Sequence, residues 1–201
     1  MDQQTIEIYN QSAKQIAALH KNLVPESIYQ LVDQFFVRGA ACADIGCGIG
    51  RDSHWLSQQG YPITGIDAAE GMLLEARQRY PGLHFVHDSL PLLKKIKDGD
   101  FTNVLCSAVI MHLESDQLAT AIFHLLRIMI IGGVVVISFR GTDNENNREN
   151  GKLYTRILVD EMITTFSKYG AITLNYERKY ELGRDLEWHN LVFRKLTHLA
   201  V

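Results

Sequence analysis

The residues of this chain whose types and spacing could do chemistry together are Asp44, Gly46, Cys47, Gly48, Gly50 and Asp67. They fall within ADIGCGIGRDSHWLSQQGYPITGIDAAEGM, residues 43–72. This segment reads as an apolar strand over 40–45, a glycine turn, a helix over 51–59, and a second apolar strand over 61–66. The three glycines let the backbone turn sharply and pass close to a ligand, where Cβ atoms would clash. Asp67 ends the second strand about 20 residues past the turn, where a carboxylate can accept hydrogen bonds from ribose hydroxyls. Such a pocket lies outside the carboxyl ends of parallel strands and suits a nucleotide-like ligand.

The turn also says which nucleotide. A dinucleotide fingerprint is G-x-G-x-x-G, but here the third glycine comes one residue early and Arg51 fills the sixth position. A diphosphate needs a close glycine backbone at a helix N-terminus, and Arg51 and Asp52 crowd that approach, which disfavours NAD. An acidic residue before the turn, Asp44, suits a ligand without phosphates and with a cationic amino-acid tail. S-adenosylmethionine has both a ribose for Asp67 and an ammonium group for Asp44.

This stretch resembles the first two motifs of the class I S-adenosylmethionine-dependent methyltransferases, D-x-G-C-G-x-G followed by G-x-D-x-x-x-x-M-L. The resemblance continues in order through His87-Asp88-Ser89, the run Phe101 to Ser107 leading into Val109-Ile110-Met111-His112-Leu113, and Gly132-Gly133 before strand 134–139. It covers roughly residues 40–140. It implies a Rossmann-like doubly wound α/β sheet, mostly parallel with an antiparallel last strand, in three α/β/α layers. It also implies S-adenosyl-L-methionine as methyl donor and S-adenosyl-L-homocysteine as product. By the same analogy Ala68 and Met72 line the adenine and ribose side, or else pack as ordinary helix residues. Asp88 accepts the adenine amino hydrogens or caps a helix, a task Ser89 could take instead. Ser107 ends the fourth strand beside the donor tail. Tyr9, in Tyr-x-x-x-Ala, resembles a lid over the donor carboxylate, with a buried helix tyrosine as the alternative. Arg51 could pair with that carboxylate or simply open a solvated helix. Cys47 fits the turn and needs no redox role.

His112 follows the fourth strand, where the resemblance places a residue facing the substrate. An imidazole near its ordinary pKa could take a proton from a hydroxyl, thiol or acid. Many methyl transfers need only alignment of donor and acceptor, so an orienting role stands beside the general-base role. Arg140, Arg184 and Trp188 could line an anionic or aromatic substrate pocket, although a structural tryptophan in a hairpin is the simpler reading. Two departures from the family pattern matter. The N/D-P-P-Y of base and glutamine N-methyltransferases is replaced by Ser107-Ala108-Val109-Ile110, which argues against those substrates. Ile131 stands where proline is usual, and the turn is left to glycine. No His or Cys cluster has metal-ligand spacing.

Elements must position these groups. Apolar residues at helical spacing predict helices over 5–20 and 26–37, then alternating elements at 40–45, 51–59, 62–66, 69–79, 83–86, 89–96, 101–107, 116–130 and 134–140. Alternation of this kind implies right-handed crossovers and helices on both faces of a parallel sheet. Residues 141–151, GTDNENNRENG, show no periodicity and read as a lid or an inert connector. A helix over 153–168 and strands near 171–178 and 188–196, with a hairpin at 181–185, complete the chain. We expect one domain over 1–201: N-terminal helices 1–38 as cap, a donor-binding core 40–140, and a substrate side 141–201.

Composition bounds the partners. At 201 residues, with 46% hydrophobic and 21% charged residues, the chain fits a single globular domain. A net charge of −3 supplies no basic field for duplex nucleic acid, which favours a small-molecule acceptor. A methyltransferase of RNA or protein and a non-catalytic S-adenosylmethionine-binding partner subunit remain as alternatives. An odd number of cysteines (Cys42, Cys47, Cys106) without CxxC spacing suits reduced thiols. No signal-like N-terminus or stretch long enough to span a bilayer is evident, so the expected location is cytoplasmic and off the membrane. Oligomeric state is not encoded legibly.

Overall fold

The computed structural model describes residues 1–20, 23–144, 147–181 and 186–199. Its helices are α1 (Gln3–His20), α2 (Glu26–Phe35), α3 (Arg51–Gln58), α4 (Glu70–Arg79), α5 (Leu118–Arg127) and α6 (Val159–Lys168). Its strands are β1 (Cys42–Ile45), β2 (Ile63–Asp67), β3 (His84–His87), β4 (Phe101–Ser107), β5 (Met129–Arg140), β6 (Asn147–Glu149), β7 (Lys152–Tyr154), β8 (Ala171–Glu181) and β9 (Leu186–Lys195). Seven strands form one sheet in the order β3-β2-β1-β4-β5-β9-β8. Strands β1 to β5 run parallel, and β9 lies antiparallel to both β5 and β8.

Side-chain alternation along the central strands builds the three layers. Cys42, Leu105, Val134 and Val136 point to one face and pack with Ile28, Leu31 and Val32 of α2 and Leu56 of α3. Ala43, Ile45, Val104, Cys106, Val135 and Ile137 point to the other, beneath α5 and α6. Both faces are buried, so these strands read as continuous apolar runs. The order reverses between β1 and β4, which opens the crevice where such sheets bind ligands.

Three expectations need correction. Residues 89–96 are not a helix: Pro91 has no N–H to give, Leu93 is left-handed (φ 46°), and Asp88 accepts from Lys95 N at 2.6 Å. Leu90, Leu93 and Ile96 are still buried, and the Arg127 guanidinium takes up the carbonyls of Leu92, Leu93 and Ile96. The fifth strand begins at Met129, not 134, because α5 stops at Arg127 and the Gly132-Gly133 stretch is a bulge opposite 101–103. The helix expected over 153–168 begins only at Val159, and Lys152–Tyr154 is strand. This strand pairs with β6 around Asn150 (φ 50°) and Gly151 (φ 80°), the two left-handed positions of a type I′ turn. Residues 182–185 of the hairpin expected at 181–185, and residues 145–146 of the 141–151 stretch, lie outside the described residues.

α1 is fixed over the crevice at its N-terminus and at its middle. Asp2 accepts from the N–H and hydroxyl of Thr5 at 2.8 and 2.6 Å, capping the helix. Asn10 accepts from Gly71 N at 2.8 Å, and a Cβ at Gly71 would sit 2.9 Å from the Asn10 carbonyl. That close approach lets α1 lie on α4 and wall the site.

Candidate functional site

A cavity of about 650 Å³ opens at the carboxyl ends of β1, β2, β4 and β5, well within the range of small-ligand sites. Its floor is the glycine turn. Gly46 and Cys47 N–H both donate to the Ile66 carbonyl, at 2.7 and 3.0 Å. Gly48 N–H donates to Asp67 Oδ2 at 2.8 Å, and Ala69 N–H to Oδ1 at 2.7 Å. The turn and the end of β2 are thus one unit. Gly46, Gly48 and Gly50 have φ of 72°, 54° and 78°, and a Cβ on Gly46 would meet Val109 Cγ2 at 2.1 Å. Glycine is required here by conformation and by space together.

Of the residues singled out from sequence, the cavity brings together Tyr9, Gly46, Cys47, Gly48, Arg51, Asp67, Ala68, Met72, Asp88, Ser89, Ser107, His112, Arg140 and Trp188. Asp44 and Gly50 stand behind the turn instead. Asp44 is buried and accepts from Ser53 Oγ at 2.6 Å; burial, then the neighbouring Asp52, pushes its carboxyl pKa up. Gly50 is the left-handed cap of α3. Arg184 lies outside the described residues. Arg51 is engaged by Asp52 through two contacts of 2.8 Å. Asp88 is turned to Ser89 N and Lys95 N. Cys47 is buried with its thiol pKa well above the ordinary value, so it is an inert turn residue.

Asp67 is the polar group best placed for a ribose. Burial raises its pKa, while the N–H groups of Ala69, Gly48 and Ala68 oppose the rise. Each oxygen already accepts one backbone N–H and has a further lone pair to offer.

His112 sits in the 3₁₀ turn Ile110–His112 and is buried. Its Nδ1 lies 2.6 Å from the Leu153 carbonyl. A carbonyl only accepts, so Nδ1 carries the proton and Nε2 keeps a lone pair. The Tyr9 hydroxyl lies 3.2 Å from Nε2. Burial is the main reason its pKa falls to about 4, with Lys152 and Arg140 adding to the fall against Asp2. The imidazole is therefore held as a neutral, weakly basic group.

Among the cavity-wall residues that sequence reasoning missed are Ala108, Ser138, Lys152 and Tyr154. Ala108 is left-handed (φ 59°), a strained position for alanine held by its N–H to the Ser138 carbonyl at 2.8 Å. Nothing in the sequence announces it. Lys152 and Tyr154 come from β7, and the Asn150-Gly151 pair was the signal that could have found that hairpin. Lys152 Nζ stands 4.2 Å from the Tyr9 ring centroid, and the Arg140 guanidinium 4.3 Å from that of Tyr154. The hairpin is tied to α1 through Leu153 N to Thr5 Oγ1 at 2.9 Å. Among the described residues no group of His, Cys, Asp and Glu could hold a metal ion, and no helix is long and apolar enough to cross a membrane.

Sheet order, glycine turn and terminal aspartate together define the fold of the class I S-adenosylmethionine-dependent methyltransferases. Residues 42–133 match the family described as Methyltransferase domain. The chain is 30% identical over 100 residues to the malonyl-[acyl-carrier protein] O-methyltransferase of Serratia marcescens, covering 50% of this chain and 38% of that protein. It is 29% identical over 119 residues to the magnesium-protoporphyrin O-methyltransferase of Synechocystis sp., covering 56% of this chain and 50% of that one. The chain thus spans half or less of the length of these curated relatives. The structure is similar to 1,6-didemethyltoxoflavin-N1-methyltransferase of Burkholderia thailandensis, which holds S-adenosylhomocysteine. The TM-score is 0.80 at 18% identity, over 96% of this chain and 88% of that one.

Proposed function

We propose that this chain transfers the methyl group of S-adenosylmethionine to an oxygen, sulfur or nitrogen nucleophile of a small molecule in the cytoplasm. The observation that carries the reading is Asp67, a carboxylate locked to the glycine turn by Gly48 and Ala69 yet open to the cavity. In this reading Asp67 holds the ribose hydroxyls, and Gly46, Gly48 and Ser107 border the amino-acid tail. Ala68, Met72, Asp88 and Ser89 surround the base. The donor supplies an electrophilic sulfonium methyl, so the protein's task is alignment and exclusion of water. His112 orients the acceptor, with Arg140, Lys152, Tyr154 and Trp188 around it, and Tyr9, against His112 Nε2 and packed with Ile49 and Met72, stands between donor and acceptor.

The cavity continues past His112 to Arg140, Lys152 and Trp188. That space beside the donor supports an enzyme over a cofactor-binding partner subunit. Residues 1–38 act as the cap, 40–140 as the donor-binding core and 141–201 as the substrate side of one domain. The O-methyltransferases among its relatives favour oxygen as the nucleophile. Three buried free thiols fit a reducing compartment.

Calorimetric titration with S-adenosylmethionine and S-adenosylhomocysteine, with NAD as control, tests the reading. Asp67→Asn keeps the side-chain volume and one acceptor, and is expected to weaken binding by roughly 10- to 100-fold, the worth of hydrogen bonds to a charged group. A folded Asp67→Asn that binds like the wild type, or a preference for NAD, would sink it.

A further inference from the structure

Among the described residues the charges around the acceptor half of the cavity do not balance, and the imbalance points to a substrate class. Arg51 is paired with Asp52, Arg140 with both oxygens of Glu149, and Lys179 with Glu177 at 3.4 Å. Asp67 and Asp88 each accept two backbone N–H groups, and Glu181 at the rim accepts from Trp188 Nε1 at 3.3 Å. Lys152 differs. Its half-buried ammonium faces the cavity over the Tyr9 ring with no carboxylate against it among the described residues. Its pKa is lowered by burial alone, as expected where no anion offsets the desolvation. On the same wall, buried Arg140 Nε has no hydrogen-bond partner.

Among the described residues of the same half, His112 is not arranged as a base for a protonated acceptor. His112 donates from Nδ1 to Leu153, and its Nε2 faces the Tyr9 hydroxyl. Lys152 and Arg140 would repel the imidazolium that proton transfer creates. Burial raises the pKa of the phenols of Tyr9 and Tyr154. An acceptor that arrives already ionised needs no base, and one that arrives as an anion compensates Lys152.

We infer that the acceptor is a small carboxylic acid, bound as its carboxylate beside Lys152 and methylated on a carboxylate oxygen; this rests on the methyltransferase reading above. An oxygen lone pair forms the new O–C bond to the donor methyl. The C–S bond breaks with its electron pair kept by sulfur. The products are the methyl ester and S-adenosylhomocysteine, and no proton is released. Tyr9 and Tyr154 suit the apolar part of such an acid.

The test uses the full chain with methyl-tritiated S-adenosylmethionine and four probes: benzoate, 3-phenylpropionate, hexanoate and malonate. Phenol, thiophenol and benzylamine serve as controls. A methyl ester releases its label as volatile methanol in mild alkali, whereas aryl ethers, thioethers and amines keep it. The expected result is alkali-labile label on at least one acid. Lys152→Met should raise KM for that acid by about tenfold or more with a smaller change in kcat, and Lys152→Arg should restore most of it, as for a charge-assisted contact. Label that survives alkali overturns the inference. So do acids that bind the S-adenosylhomocysteine complex without becoming labelled, acids that do not bind it, and a Lys152→Met with unchanged KM. Failure to bind S-adenosylmethionine at all would remove the methyltransferase reading itself.

Discussion

Replacing Gly46 by alanine probes the geometry on which the donor site depends. Two costs arise. Gly46 sits at φ 72°, and an L-residue in that region costs about 1–2 kcal/mol. The new Cβ would also lie 2.1 Å from Val109 Cγ2. Val109 is buried and follows strained Ala108, so it has little room to yield, and overpacking of this kind costs about 1–3 kcal/mol. Gly46→Ala should therefore lose roughly 2–5 kcal/mol, a large share of the stability of a small domain. Val109→Ala alone removes two buried methyl groups, worth about 1.6 kcal/mol at ~0.8 each. In the double variant the clash is gone and only the backbone strain and lost methyls remain. Urea unfolding of the four proteins gives the cycle, with a favourable coupling of about 1–3 kcal/mol expected. Additivity within about 0.5 kcal/mol would refute the contact, and an unchanged Gly46→Ala would refute the left-handed turn. Donor affinity supplies a second readout, because displacing Val109 shifts the cavity wall beside Ala108. Gly46→Ala should bind S-adenosylhomocysteine more weakly, and the double variant should recover part of the loss.

Two further variants test the acceptor side. His112 has its pKa lowered from 6.5 to about 4 in the fold, so the folded state resists a proton that the unfolded chain accepts. Its contribution is full above about pH 6.5 and fades as pH falls toward 4, by ~3 kcal/mol in all at about 1.4 per unit. The difference in unfolding free energy between wild type and His112→Asn, measured across that window, should fall with pH; a flat difference would mean the imidazole titrates freely. Gly151→Ala puts a Cβ 2.5 Å from Ile8 Cδ1 in a left-handed turn position and should loosen β6–β7 from α1. It should cost about 2 kcal/mol or more and weaken acceptor use more than donor binding, which steady-state kinetics with each substrate varied would show.

Much of the donor half was legible because it is written in local rules. Glycine alone tolerates the left-handed turn at 46, 48 and 50 without strain. Continuous apolar runs announced the buried parallel strands, and Asp67 followed from the spacing of strand, turn and helix. The errors were local conflicts settled by distant partners. Residues 89–96 had helical composition, but Asp88, Lys95 and Arg127 satisfy the backbone another way. Residues 153–158 looked like a helix start, but Thr155 donates to Met111 and Leu113 and holds the chain extended. The type I′ hairpin was signalled by Asn150-Gly151 and missed inside a polar stretch.

By itself the sequence determined the turn, the strand order of its motifs and the carboxylate at the end of the second strand, since backbone sterics and side-chain period act over a few residues. Tertiary structure alone decided that Asp44 stands behind the turn, that His112 is neutral with its lone pair toward Tyr9, and that Lys152 faces the cavity with no carboxylate against it among the described residues. Each of these depends on desolvation and on charges brought together from far apart in the chain. Burial and Coulomb interactions are properties of the assembled environment, which spacing along the chain does not contain.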